Sequence, residues 1–346
     1  MAAGINLKNV GDRMSGFKDV VGHKNIIQYI GNAVTSDTVS HAYILNGERG
    51  SGKKLLANLF AMSLQCQNRE ADGDACGKCQ SCKQAMNGNQ PDIIRVVHEK
   101  PTTISVDDIR EQVNNDIVIK PYSSKYKIYI IDDAQKLTVE AQNALLKTIE
   151  EPPAYGIVML LTNSLEALLP TIRSRCITLN LKAVAFEDIQ AYLMRKYEIP
   201  DYKARVCAAF AQGSIGKAIR MATSPDFNEL QEDLLRILKH IDDMEVYEIM
   251  DAVKNLSEHK VKADIYDIID MMSVWYRDVL MLKITKDMNL LVYREEYRAL
   301  NERAKKSSFD GLDTIIQGFE KAKVRLRANV NFDVAVELML LTIKEN

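Results

Sequence analysis

The hydrophobic pattern changes character about half-way along the chain. In the first half, short apolar runs stand between stretches of helical period: Ala42-Tyr43-Ile44-Leu45, Ile93-Ile94-Arg95-Val96-Val97, Ile128-Tyr129-Ile130-Ile131 and Ile157-Val158-Met159-Leu160-Leu161. Runs this short and this continuously apolar fit strands buried on both faces of a parallel sheet. Cys176-Ile177-Thr178-Leu179 predicts a fifth. Helical spacing over residues 105–114 and 139–151 lies between them, the second stretch stopping at Pro152-Pro153, where proline removes amide donors and blocks continuation. Strands alternating with helices predict an α/β domain with a covered parallel sheet.

After about residue 182 the strand signal ends. Residues 186–196 and 202–211 have the spacing of short amphipathic helices, and Gly213 and Gly216 punctuate the join to a third. From Phe227 onward long helical patterns run to the C-terminus, with Met271, Trp275 and Leu280 on spaced apolar positions. A chain of 346 residues exceeds what one hydrophobic core usually serves. We therefore expect an α/β domain over 1–181, a small helical unit over 182–224 and a larger all-helical domain over 225–346. Neither an internal repeat nor a low-complexity segment stands out.

Composition narrows little. A 47% hydrophobic and 27% charged chain is an ordinary globular one. Its 45 basic and 47 acidic residues leave a net charge of -2, which argues neither for nor against a local nucleic-acid surface. No apolar run approaches the roughly 20 residues that cross a bilayer. Residues 1–8 lack the charged-then-apolar order of a signal peptide. These features predict a cytoplasmic protein without membrane contact.

The chemistry begins at Gly47-Glu48-Arg49-Gly50-Ser51-Gly52-Lys53, which follows a predicted strand and opens a helix as a phosphate-binding loop does. Backbone N–H groups of such a loop close around phosphates, and Lys53 would reach the β- and γ-phosphates. The next position, where a Ser or Thr hydroxyl should hold Mg²⁺, is Lys54. A cation about 4 Å from a unit charge costs about 4 kcal/mol at an effective dielectric near 20, and a divalent ion doubles that. Ile130-Ile131-Asp132-Asp133 supplies the acidic partner at a strand end. Asp132 stands where a carboxylate holds Mg²⁺, and Asp133 where many such ATPases orient water with a Glu. Aspartate is one methylene shorter, and hydrolysis is sensitive to about 1 Å of misplacement. The loop is thus damaged for Mg·ATP, and ATP or ADP binding is expected to be weak or absent.

Cys66, Cys76, Cys79 and Cys82 cluster just after the helix that the loop opens. Four thiolates can close a tetrahedral Zn²⁺ shell, which staples a segment too small for its own core and leaves no position for a reactive water. A redox Cys-x-x-Cys and an iron–sulfur cluster are the competing readings. Cys176 and Cys207 read as buried small hydrophobes, and His23, His41 and His98 as isolated core or surface residues.

Several stretches then resemble one family. Residues 141–153, from Ala141-Gln142-Asn143 through Glu150-Glu151-Pro152-Pro153, resemble the helix after the acidic strand in bacterial clamp-loader AAA+ subunits of the DNA polymerase III holoenzyme. Ser174-Arg175-Cys176, the four-cysteine insertion and Ile104-Ser105-Val106-Asp107-Asp108-Ile109-Arg110 are similar to theirs as well. Thr162-Asn163 resembles the sensor 1 position. The likeness is specific over about residues 16–222 and loose beyond, through Trp275-Tyr276-Arg277-Asp278. It implies an AAA+ P-loop domain with a zinc insertion at 66–82, then a lid, then a helical collar for oligomerisation.

Within that family Lys54, Asp133 and Gly216, the last at the place of a lid arginine, depart from the ATPase subunits, whereas Ser174-Arg175-Cys176 is retained. That combination resembles the delta-prime class, an inactive ATPase whose arginine reaches a neighbour's ATP. The resemblance implies Arg175 as that residue, since a guanidinium forks onto phosphate oxygens. A degenerate nucleotide site of Gly47, Gly52, Lys53, Asp132, Asp133, Thr162 and Asn163 follows from it too. Implied partners are the delta and gamma/tau subunits, the sliding clamp and primer–template DNA held through its phosphates. The alternatives are an active gamma/tau-like ATPase subunit and, from another class, a zinc-containing DNA-binding protein on an ATPase-like scaffold.

Overall fold

The computed structural model describes residues 16–259, 265–328 and 330–346. The N-terminal residues weighed above against a signal peptide lie outside them. The chain divides into two compact units, one ending at Val184 and the other beginning at Ala185.

The first unit contains α1 (Lys24–Thr35), β1 (Ala42–Asn46), α2 (Lys53–Gln65), α3 (Gln80–Met86), β2 (Ile93–Arg95), α4 (Val106–Ile109), β3 (Lys127–Ile131), α5 (Val139–Glu150), β4 (Gly156–Thr162), α6 (Pro170–Arg173) and β5 (Ile177–Asn180). The strands form the expected parallel sheet, in the order β2-β3-β4-β1-β5. Side chains alternate across it, as strand geometry requires. Tyr43, Leu45, Ile128, Ile130, Met159 and Leu161 pack with α1 and α2 on one face. Ala42, Ile44, Tyr129, Ile131, Val158 and Leu160 pack with α4, α5 and α6 on the other. Burial on both faces is why these strands read as unbroken apolar runs.

Local signals set the helix ends. Ser105 and Asp108 make a reciprocal capping box at α4. Thr138 caps α5 by accepting from the Ala141 N–H at 3.2 Å. The helix predicted over 105–114 is helical throughout but leaves α geometry at Arg110, where a π turn runs to Asn114. β2 stops two residues short of the predicted Val97, because the Gln112 side chain takes over that residue's backbone, accepting from its N–H (2.9 Å) and donating to its carbonyl (2.7 Å).

The second unit is helical among its described residues: α7 (Phe186–Tyr197), α8 (Asp201–Ala211), α9 (Ile215–Thr223), α10 (Pro225–His240), α11 (Val246–His259), α12 (Ile265–Thr285), α13 (Tyr297–Lys306), α14 (Phe309–Arg327) and α15 (Phe332–Glu345). Trp275 and Tyr276 of α12 are buried, and Tyr276 stacks at a tilt on Phe319 of α14. Lys217 ties α9 to α12 through Asp267 (2.6 Å) and Asp270 (3.6 Å). Asp278, fully buried, accepts the Val292 and Tyr293 N–H groups at 2.7 and 2.8 Å. Burial pushes its carboxyl above the usual range, and those two donors offset part of the rise. Among the described residues no helix is long and apolar enough to cross a membrane.

Candidate functional site

β1 runs into residues 47–52, which deliver the chain to the N-terminus of α2. Gly50 and Gly52 have φ of 81° and 98°, backbone that side chains rarely adopt. At Gly47 an added Cβ would come within 2.9 Å of the Leu181 Cβ. Lys53 opens the helix and turns its ammonium back onto the loop, donating to the carbonyls of Gly47 (2.5 Å) and Glu48 (2.9 Å). Burial lowers its pKa, with the carboxylates of Asp132, Asp133 and Glu48 working the other way. The Gly47 N–H donates to the Thr162 carbonyl at 3.1 Å, joining the loop to the end of β4.

The acidic pair follows β3. Asp132 forms an ion pair with Lys54, so the ammonium that replaced the magnesium-binding hydroxyl lies on the carboxylate expected to hold magnesium. Asp133, at φ 51°, accepts from Lys136 Nζ (2.9 Å) and Gln135 Nε2 (3.1 Å). Burial alone would raise its pKa, but those two donors outweigh it and hold the carboxyl low. Gln135 also receives the Thr162 hydroxyl (3.2 Å) and the Asn163 N–H (3.4 Å) on its carbonyl oxygen. The loop, the acidic pair and Thr162-Asn163 therefore do converge, with Thr162 buried and Asn163 exposed.

Sequence reasoning missed two members of this arrangement and the partner of a third. Gln135 links the acidic turn to β4, and nothing local marks it. His23 brings Nε2 to 3.1 Å from the Ser51 carbonyl, and burial lowers its pKa. The sequence marks Lys54 as the loss of a magnesium ligand but not its pairing with Asp132, which joins residues far apart along the chain.

At the other end of α2 the four cysteines meet. Cys66 caps that helix, Cys79 caps α3 and Cys82 lies within α3. Their sulfurs all lie within 4.8 Å of one another. A tetrahedral Zn²⁺ with bonds of about 2.3 Å sets its sulfurs about 3.8 Å apart, so a small contraction completes the shell. The donors around them suit thiolates: the N–H groups of Cys76, Cys79 and Cys82 point at the sulfurs of Cys66 (3.3 Å), Cys76 (3.4 Å) and Cys79 (3.4 Å) respectively. The Lys78 N–H and other donors pull the Cys76 thiol down to about 6. Burial raises Cys79, but the Gln67 and Cys82 N–H groups more than reverse it. Cys66 and Cys82 are pushed up by burial, so a cation is what would ionise them. The residues fit a structural Zn²⁺. Cys207 is buried in the second unit and Cys176 half-buried against the sheet core, and the cluster includes neither.

Arg175 lies between α6 and β5, half exposed, with Nε 2.8 Å from Glu150 at the end of α5 and Nη1 3.1 Å from the Thr171 carbonyl. Gly216 lies in the first turn of α9 in the second unit.

Comparison with known proteins adds the lineage. Residues 22–185 match the family model described as DNA polymerase III, delta subunit. The chain is 28% identical to subunit delta' of Bacillus subtilis DNA polymerase III, over 92% of this chain and 95% of that one. The chain is thus similar to a DNA polymerase III clamp-loader subunit along most of its length. Other DNA polymerase III subunits are similar too. Identity is 27% to the B. subtilis subunit tau, over 92% of this chain but 60% of that one. It is 35% to the Haemophilus influenzae subunit tau/gamma, over 64% and 33%. The chain thus spans less than two thirds of these tau relatives. Among solved structures, a gamma subunit-related protein from Thermotoga maritima superposes with a TM-score of 0.48 at 17% identity, covering 92% of this chain and 98% of that one.

Proposed function

We propose that this chain is a clamp-loader subunit of the delta-prime kind, a degenerate AAA+ subunit that supports the loading of a sliding clamp onto primed DNA without hydrolysing ATP itself. One observation carries the reading: the Lys54 ammonium lies on Asp132, and Asp133 is held by Lys136 and Gln135. Hydrolysis needs Mg²⁺ on the first carboxylate and an oriented water by the second. Here each has a protein partner instead.

On this reading residues 1–181 are the AAA+ domain, stapled by Zn²⁺ on Cys66, Cys76, Cys79 and Cys82. Residues 182–224 form its lid, and 225–346 a collar that meets the delta and gamma/tau subunits in the cytoplasm. Primer–template DNA is held through phosphates and the clamp is met within the assembled complex. Arg175 serves a neighbouring ATPase subunit, placing a planar, permanent charge on the phosphates that its partner cleaves.

Reconstitution with the ATPase subunits, clamp and primed DNA tests this. Arg175→Ala should assemble normally and lower DNA-stimulated hydrolysis by the neighbour by about 10³-fold or less, the lower end for such arginines in a ring holding several. Arg175→Lys should rescue poorly, because a point charge cannot reproduce the fork. Normal clamp loading by an assembled Arg175→Ala complex would refute the role. The likeness to tau over most of the chain favours a second reading, an active ATPase subunit. Mg²⁺-dependent turnover by the pure chain, abolished by Lys53→Ala, would establish that one.

A further inference from the structure

The loop before α2 is shaped for a polyphosphate and closed to magnesium. On the first count, the 13-residue helix α2 points its N-terminal amides at the loop, and Lys53 and Lys54 occupy its first two positions. The space over Gly52 is open, since an added Cβ would meet nothing within 4 Å. The hydroxyl of Ser51 is buried in the loop without a hydrogen-bond partner. A helix N-terminus favours anions and disfavours cations, so paired lysines there are strained unless negative charge faces them. The first turn of α2 contains no acidic residue of its own. Asp132 answers one lysine from across the sheet.

On the second count, Mg²⁺ in such a loop neutralises phosphate charge and bridges phosphate to the acidic strand end. The Lys54 ammonium sits on that strand end already, a positive charge beside the path of the phosphates. It opposes a divalent ion twice, by repulsion and by competing for the carboxylate the ion would need. We infer that Lys54 is an internal substitute for Mg²⁺, and that the loop binds a nucleoside di- or triphosphate in its metal-free form. This rests on the reading of the chain as a subunit that does not hydrolyse ATP: an ammonium can hold phosphates, yet it cannot coordinate and polarise them as a divalent metal does.

Calorimetric titration of the full, zinc-loaded chain with ADP and with ATP tests the inference, in buffer freed of magnesium by resin and again with excess Mg²⁺. Both nucleotides should bind at least as tightly without magnesium as with it. Lys54→Thr should weaken magnesium-free binding by about tenfold, the worth of one charge-assisted contact, and make it improve when Mg²⁺ is added. Lys53→Ala should abolish binding in both buffers. Unchanged zinc content and melting temperature would show that each variant folds. Wild-type binding that needs Mg²⁺, or no binding of either nucleotide in either buffer, would overturn the inference. The functional reading fails separately, on turnover by the pure chain, which the same samples report as released phosphate.

Discussion

Helix α2 carries a different site at each end. Its C-terminus hands Cys66 to a cluster of four like donors, and its N-terminus follows a loop built from residues of different kinds. The cluster needs one residue type at one spacing, and all four members meet. A working phosphate site needs glycines, a lysine, a hydroxyl and two carboxylates, and this loop has the glycines and the lysine with Lys54 at the hydroxyl's place. Glycine conformation and helix packing set the shape of such a loop and single side chains set its reaction, so shape can persist where the chemistry has changed. Repeated like ligands allow no such exchange: losing one opens the shell.

The largest expected effect lies at the metal end. One Zn²⁺ should be retained per chain, and Cys79→Ser should release it with a loss above the roughly 0.5–3 kcal/mol of an ordinary substitution, as expected when a structural metal goes. Hydrogen exchange should then rise across residues 66–90 and stay unchanged in the helical unit after residue 185. Protein purified reduced, without chelators, and free of zinc on elemental analysis would break the comparison.

At the loop end a substitution should change little in stability. Lys54→Thr breaks an ion pair whose lysine side chain is 71% exposed, so the melting curve should shift by less than about 1 kcal/mol. The variant should also fail to hydrolyse ATP in a phosphate-release assay, since Asp133 and Gly216 remain. Turnover restored by this one change would mean that the loop had lost a single part rather than its mechanism.

The smallest effect is a titration. The Asp133 carboxyl is held below its ordinary 3.8 in the folded chain. A depressed acid contributes stability above its unfolded pKa and loses it as pH falls through the folded value. Acid melts of wild type and Lys136→Met should therefore differ above about pH 4 and converge below it. The gap should be a few tenths of a kcal/mol, because the pair is part exposed. Parallel curves would remove Lys136 as the partner that matters.

The sheet was legible because burial on both faces leaves no polar alternation to confuse, and the five apolar runs all became strands. Their ends were less so. Val97 was lost to a side chain fifteen positions away, and Cys176 stands just outside β5. The cysteine cluster and the loop glycines were legible from spacing. Pairings between distant residues were not: Lys54 with Asp132, Gln135 with Thr162 and Glu150 with Arg175 all depend on strand order, which no local pattern encodes.

The last of those pairs sets a timescale. Arg175 and Glu150 have side chains 42% and 44% exposed, and exposed side chains change rotamer in picoseconds to nanoseconds. Their contact therefore opens and closes many times before a loop or a domain has moved at all. A deeply buried partner would have made the guanidinium wait on local unfolding, a matter of microseconds to seconds. Glu150 thus holds the arginine without delaying it, and if Arg175 serves a neighbouring subunit as proposed, the rate of that meeting is set by the partner's arrival and not by release from Glu150.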